Sequence, residues 1–199
     1  MRIGVLGTGV VGRTIAAKLR ELGHDVLIGS RSAGEEAVPF AEAAAHGELV
    51  FNCTAGAASL EALGAAGAEK LTGKVLIDVT LPLDFSQGMP PTLFVCNDDS
   101  LGEQVQRAFP EARVVKTLNT VNAAVMVDPT PGTNIFVCGN EAEAKTQVGE
   151  LLQSFGWPAD KIIDLGDISN ARGTEMYLPL WIRLMGALGT PQFNIAVVQ

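Results

Sequence analysis

The chain has 199 residues, enough for one sizeable domain or one domain with a small appendage. Hydrophobic residues make up 47% and charged residues 18%, so a large core can form and disorder is excluded. A formal net charge of −8 without any Lys or Arg cluster excludes nucleic acid and an anionic membrane surface as partners, so a phosphate-bearing ligand would need local donors.

In chain order, the first apolar run, Arg2–Leu6, predicts a strand. A helix from about Val10 to Leu22 follows, with Val11, Ile15, Leu19 and Leu22 on one face and Gly23 as its stop. Three glycines interrupt the opening apolar run and Arg13, Lys18 and Arg20 follow, which is no signal-peptide pattern. Further strands are expected at Asp25–Ile28, Leu49–Cys53, Val75–Val79, Val114–Lys116, Asn134–Cys138 and Ile162–Leu165. Helices are expected over Ala37–His46, Leu60–Leu71, Glu141–Phe155 and Ala171–Leu188, the last kinked at Pro179. Ser100-Leu101-Gly102-Glu103 reads as a capping box opening another helix, to about Phe109.

Strands alternating with helical crossovers predict an α/β fold: a doubly wound, mainly parallel sheet of the Rossmann type flanked by helices. Residues 1–133 would form the dinucleotide-binding core and 134–199 a small αβα extension packed on the same domain. The long irregular stretch Thr80–Asp99 is either functional or carries a short edge strand at Leu93–Cys96. No apolar stretch approaches the ~18 residues of a membrane span. Cys53, Cys96 and Cys138 read as free thiols in a reducing, cytoplasmic setting, and no His/Cys cluster suggests a metal. Asn52-Cys53-Thr54 matches a glycosylation sequon, which in such a compartment is chance.

Gly7-Thr8-Gly9-Val10-Val11-Gly12 stands between the first strand and the first helix, the context a dinucleotide pyrophosphate site requires. Free N–H groups around Val10 and Val11 would face the anion together with the positive end of the helix dipole. Specificity is read at the end of the second strand. A site for NAD needs a carboxylate there; this chain has Ser30, Arg31 and Ser32, which suit a 2′-phosphate and hence NADP(H). Asp25 lies at the other end of that strand.

Three loops should meet where the nicotinamide would lie: Cys53–Gly56, Thr80–Pro82 and Thr117–Asn122. Thr54, Ala55, Thr80, Asn119 and Thr120 are the candidate contacts, and Lys116 is read as a surface or phosphate contact. These loops hold no His, no Tyr-x-x-x-Lys pair and no Ser-His-Asp set, so no catalytic acid or base is assigned. Hydride exchange with a flavin-like ring needs mainly stacking and exclusion of water, which this inventory suits better than reduction of a carbonyl.

The chain resembles the NADPH-dependent coenzyme F420 reductase family, whose fold also forms the reductase domain of six-transmembrane ferric reductases. The resemblance lies in Met1–Gly12, Leu22 to Arg31, Lys116–Ala123, Val137–Asn140, Asp164–Gly166 and Ser169–Arg172. It implies hydride exchange between NADP(H) and a deazaflavin (F420) or a flavin (FMN or FAD), with no side-chain acid or base. It also implies that Thr8, Gly9, Val10, Val11, Ser30 and Arg31 hold the nucleotide, while Thr54, Ala55, Asn119 and Thr120 line the nicotinamide. Two alternatives stay open: a non-catalytic NADP(H) redox sensor, and an imine or ketone reductase, for which little chain remains after Asn134. The apolar final segment, Met176–Met185, would be buried all round, either centrally in the chain or in a homodimer interface.

Overall fold

The computed structural model describes residues 1–198. β1 (Arg2–Leu6) leads into α1 (Val10–Glu21), β2 (Asp25–Ser30), the short β3 (Val38–Pro39), α2 (Phe40–His46) and β4 (Leu49–Asn52). α3 (Ser59–Ala66) and α4 (Ala68–Leu71) precede β5 (Val75–Asp78), after which β6 (Leu83–Asp84) and β7 (Thr92–Leu93) form a small separate hairpin. Then come α5 (Leu101–Ala108), β8 (Arg113–Thr117), α6 (Ala123–Val127), β9 (Ile135–Cys138), α7 (Ala142–Ser154) and β10 (Ile162–Asp164). α8 (Ala171–Met176) and α9 (Leu178–Leu188) follow them.

The main sheet has the order β10-β9-β8-β5-β4-β1-β2-β3, and every pair is parallel except β8–β9. This is the doubly wound Rossmann-type arrangement. Its central strands are buried on both faces, which explains their unbroken apolar runs. Ile3, Val5, Val75 and Ile77 face one core with Ile15 and Leu19 of α1 and Val148 of α7. Leu6, Val50 and Leu76 face the other, with Ala43, Leu63 and Val105 from α2, α3 and α5. Successive strand residues thus feed opposite layers, as the two-residue side-chain period requires.

Four expectations change. The sheet reverses at β9, where Lys116 pairs with Cys138 in antiparallel register. The link from β8, residues 118–134, carries only the five-residue α6, which does not run back along the strand as a crossover helix does. The helix expected over Leu60–Leu71 breaks at Gly67, whose φ is 92°. Residues Leu93–Cys96 do not join the main sheet; only Thr92–Leu93 pair, with the strand just after β5. Finally, Pro179 starts α9 instead of kinking one long helix, because a first-turn proline lacks only a hydrogen bond that no helix makes.

The N-cap half of the capping box forms: Ser100 Oγ accepts from the Glu103 amide at 3.1 Å, while the Glu103 carboxylate accepts from the Ser100 hydroxyl and from Arg172. α9 is not buried around its circumference. Within the chain only Leu178 of this helix is buried, and Leu180 is 55% exposed. No helix among the described residues is long and apolar enough to cross a membrane.

Candidate active site

Strand order changes direction between β1 and β4, and the crevice at their carboxyl ends is where this type of sheet takes ligands. Gly7 leaves β1 with φ +120°, and a Cβ there would stand 2.6 Å from the Cys53 carbonyl oxygen that follows β4. Gly12 lies against the same turn: its Cβ would fall 2.1 Å from the Gly7 oxygen. Two side-chain-free positions therefore let the turn, α1 and the β4 loop close on one another. Gly9 begins α1 with no side-chain cap, no acid stands in the first turn, and nothing lies within 4 Å of a Cβ built there. The first amides of α1 face open space and can serve an anion.

Two cavities flank the loop Cys53-Thr54-Ala55. The first, about 240 Å³, runs from Gly7, Thr8 and Gly9 to Ser30 and Arg31, with Phe40, Glu61, Ala62 and Ala65 as its outer wall. Arg31 is exposed and has no ion-pair partner among the described residues. Ser30 donates its hydroxyl to the Ser32 carbonyl, and Ser32 itself does not line this cavity. Nearby, Arg13 donates to the Thr8 carbonyl at 2.8 Å and pairs with Glu36.

The second cavity, about 320 Å³, is bounded by Val11, Thr54, Ala55, Gly56, Thr80 and Leu81, with Leu83 and Phe85 from the hairpin side. Its only titratable neighbour among the described residues is Cys53, whose thiol is pushed well above its usual pKa by burial and by the nearby Asp78 charge. Val10 is 75% exposed and lines neither cavity.

The loop after β8 holds Asn119 and Thr120 buried at 3% exposure each, outside both cavities. Asn119 Nδ2 and Thr120 Oγ1 have no hydrogen-bond partner among the described residues. Leu118, just before them, has φ +64°, a conformation that costs a non-glycine residue about 1 kcal/mol or more. Backbone strain and two unsatisfied buried groups thus coincide in this turn. Asn122, in contrast, caps α6 by accepting from the Val125 amide at 3.0 Å, so its role is structural.

Lys116 is neither a surface residue nor a phosphate contact. It is 1% exposed and pairs with Asp78 and Glu175, both at 2.8 Å. Burial pulls the pKa of its ammonium down, but the two carboxylates outweigh that effect and leave it above the usual lysine value. Sequence reasoning also missed Phe40, Glu61, Leu83 and Phe85 as cavity walls. Of these, Glu61 had a usable signal, since it stands on the small-residue face that Ala58, Ala62 and Ala65 form at helical spacing.

Comparison with known proteins agrees with this geometry. Residues 2–82 match the family model described as NADP oxidoreductase, coenzyme F420-dependent. The F420-dependent NADP reductase of Methanothermobacter marburgensis is 30% identical over 210 residues, covering 92% of each chain. Rat metalloreductase STEAP3 is 29% identical over 197 residues, 90% of this chain, though the match spans only 38% of that longer protein. A crystal structure of a proposed F420-dependent NADP reductase from Arthrobacter sp. FB24 superimposes with a TM-score of 0.95 at 53% identity, covering both chains fully. The full-length match in M. marburgensis sets the affiliation: this chain belongs to the family of coenzyme F420-dependent NADP oxidoreductases.

Proposed function

We propose that this protein moves a hydride between NADP(H) and a deazaflavin of the F420 type, with FMN or FAD as the alternative acceptor class. The carrying observation is the pair of unlike cavities on either side of Thr54 and Ala55: one ends in a guanidinium without an ion-pair partner among the described residues, the other is apolar, with the buried Cys53 thiol as its one titratable neighbour among them. Arg31 and Ser30 would receive the 2′-phosphate, and the open turn at Thr8, Gly9, Val10 and Val11 the pyrophosphate, with Gly7 and Gly12 closing it. Asn119 Nδ2 and Thr120 Oγ1 are unsatisfied groups of the kind a carboxamide pairs with, but they lie buried outside both cavities, so the reading does not depend on them.

When bound, the nicotinamide supplies the hydride and the acceptor ring its electron sink. This chain's contribution is then alignment and dryness. Val11, Leu81, Leu83 and Phe85 cover the reacting faces, and Thr54 and Thr80 set their edges. With no titratable group but a buried, protonated thiol at the cavity, the residues offer no general acid, which fits ring-to-ring transfer better than carbonyl reduction.

Stopped-flow mixing of NADPH-loaded protein with F420, FMN and FAD tests the reading. NADPH oxidation well above the free-solution rate is expected with at least one ring. Binding of NADPH without faster oxidation by any of them would overturn it in favour of a redox sensor. The setting is taken to be cytoplasmic, since Cys53, Cys96 and Cys138 are all free thiols. The outward apolar surface of α9 supports a homodimer.

A further inference from the structure

Behind the acceptor-side cavity lies a buried polar network centred on Lys116, which itself lines neither cavity. Its ammonium has three protons and three contacts: Asp78 Oδ2 at 2.8 Å, the Thr80 carbonyl at 2.5 Å and Glu175 Oε1 at 2.8 Å. Glu175 in turn accepts from the Leu101 and Gly102 amides at 2.8 and 2.9 Å, anchoring the network to the start of α5. Asp78 Oδ1 accepts from the Thr80 hydroxyl at 2.8 Å, the Thr80 amide at 3.3 Å and Asn52 Nδ2 at 3.0 Å. Every polar group of Thr80 is thus tied to Asp78 or Lys116.

The network also sets polarity. Paired with a lysine, Asp78 is an acceptor only, so the NH₂ end of Asn52 must face it. The Asn52 oxygen then points at the Thr54 hydroxyl, 2.8 Å away, and accepts its hydrogen bond. Both rim hydroxyls, Thr54 and Thr80, donate inward, leaving only acceptor lone pairs for the cavity. Burying such charges contributes little to stability compared with apolar residues of the same size, so the arrangement is better explained by what it orients.

We propose that Lys116 is a positioning residue for hydride transfer, which through Asp78 and Asn52 presents Thr54 and Thr80 as fixed acceptor-only edges for N–H-bearing groups. Such groups are the amide of a nicotinamide and the pyrimidine edge of a flavin or deazaflavin. The proposal rests on the reading of that cavity as the place where the two rings meet.

The test replaces Lys116 and Asp78 together, Lys116→Met/Asp78→Leu, while Glu175, the second carboxylate, keeps its bonds from the Leu101 and Gly102 amides. Three readouts are taken: hydrogen exchange of ligand-free protein, NADPH affinity with the emission of bound NADPH, and steady-state kinetics with the acceptor. Exchange in residues 53–57 and 79–83 should rise about tenfold while residues 7–13 stay at the wild-type rate. NADPH affinity should change less than about threefold, whereas kcat should fall about tenfold. A folded variant with wild-type exchange at both rims, or with wild-type kcat and NADPH emission, overturns the proposal. If wild-type protein transfers hydride to no acceptor, the functional reading falls, and the exchange result still decides whether Lys116 sets the rims. Should the double variant not fold, Glu175→Gln, which keeps an acceptor for α5 while loosening Lys116, should show the same changes at smaller size; wild-type behaviour there is equally fatal.

Discussion

The Leu81 carbonyl oxygen occupies the space that a side chain on Gly56 would need, 1.8 Å from an ideal Cβ. The loops after β4 and β5 therefore meet backbone to backbone at the rim of the acceptor-side cavity. Gly56→Ala must push them apart, because neither atom belongs to a flexible side chain. The variant should lose stability by about 1–3 kcal/mol and show a raised KM for the acceptor, read by thermal unfolding and steady-state kinetics. An unshifted Tm would mean that the contact yields more easily than a packed backbone should.

Gly12 and Gly9 should separate folding from binding. Gly12→Ala places a methyl group 2.1 Å from the Gly7 oxygen and should lower Tm without any ligand present. Gly9→Ala meets nothing within 4 Å and should cost about 1 kcal/mol or less, yet obstruct the approach of a pyrophosphate. Calorimetry and NADPH titration of both variants would show the contrast; equal NADPH affinity in Gly9→Ala and wild type would exclude the turn as the anion site.

Among the described residues Arg31 forms no ion pair, and it lines the first cavity beside Ser30. Arg31→Ala should weaken NADPH binding at least tenfold, about 1.4 kcal/mol, and move the preference towards NADH. Fluorescence titration with both nucleotides checks this. Equal affinity for the two in wild type would show that the guanidinium is not a phosphate receptor.

Asp99 titrates at about 2, held down chiefly by hydrogen bonds from Arg107 at 3.0 and 2.8 Å, against a smaller upward push from burial. A depressed carboxylate contributes stability that is fully present above its unfolded value of 3.8 and lost as pH falls through about 2. Because Arg107 is mostly solvent-exposed, that contribution is at most about 1 kcal/mol. Asp99→Asn should therefore flatten the fall in Tm between about pH 4 and pH 2. Parallel Tm curves for the two proteins in that window would refute the assignment.

Leu180 and Leu188 of α9 are 55% and 57% exposed, flanking Trp181, which stacks on Phe193 with centroids 5.3 Å apart. Light scattering after size exclusion should give a dimer for wild type and a monomer for Leu180→Glu/Leu188→Glu. A wild-type monomer at micromolar concentration would rule out association through this helix.

The strands, α1, the Ser100–Glu103 cap and the glycine turn were legible in the sequence because each depends on neighbours a few positions away. The position of Arg31 just past the end of β2 was legible for the same reason. Asn52, dismissed as a chance sequon, is fully buried and orients Thr54, a role visible only once β5 brings Asp78 beside it. Lys116 was misread because local pattern makes a lysine at a strand end look solvated. Its partners lie on β5 and α8, and only their joint approach makes burial of the charge tolerable.

Alternation of apolar runs with amphipathic segments determined by itself that this chain forms a doubly wound sheet with a dinucleotide turn at its first strand, because side-chain period and turn chemistry are local. Tertiary structure alone decided that β9 runs backwards, that α9 shows its apolar surface to the outside and that three buried charges meet behind the second cavity. Those outcomes depend on which distant surfaces exclude water together, and no window of sequence contains both sides of such a contact.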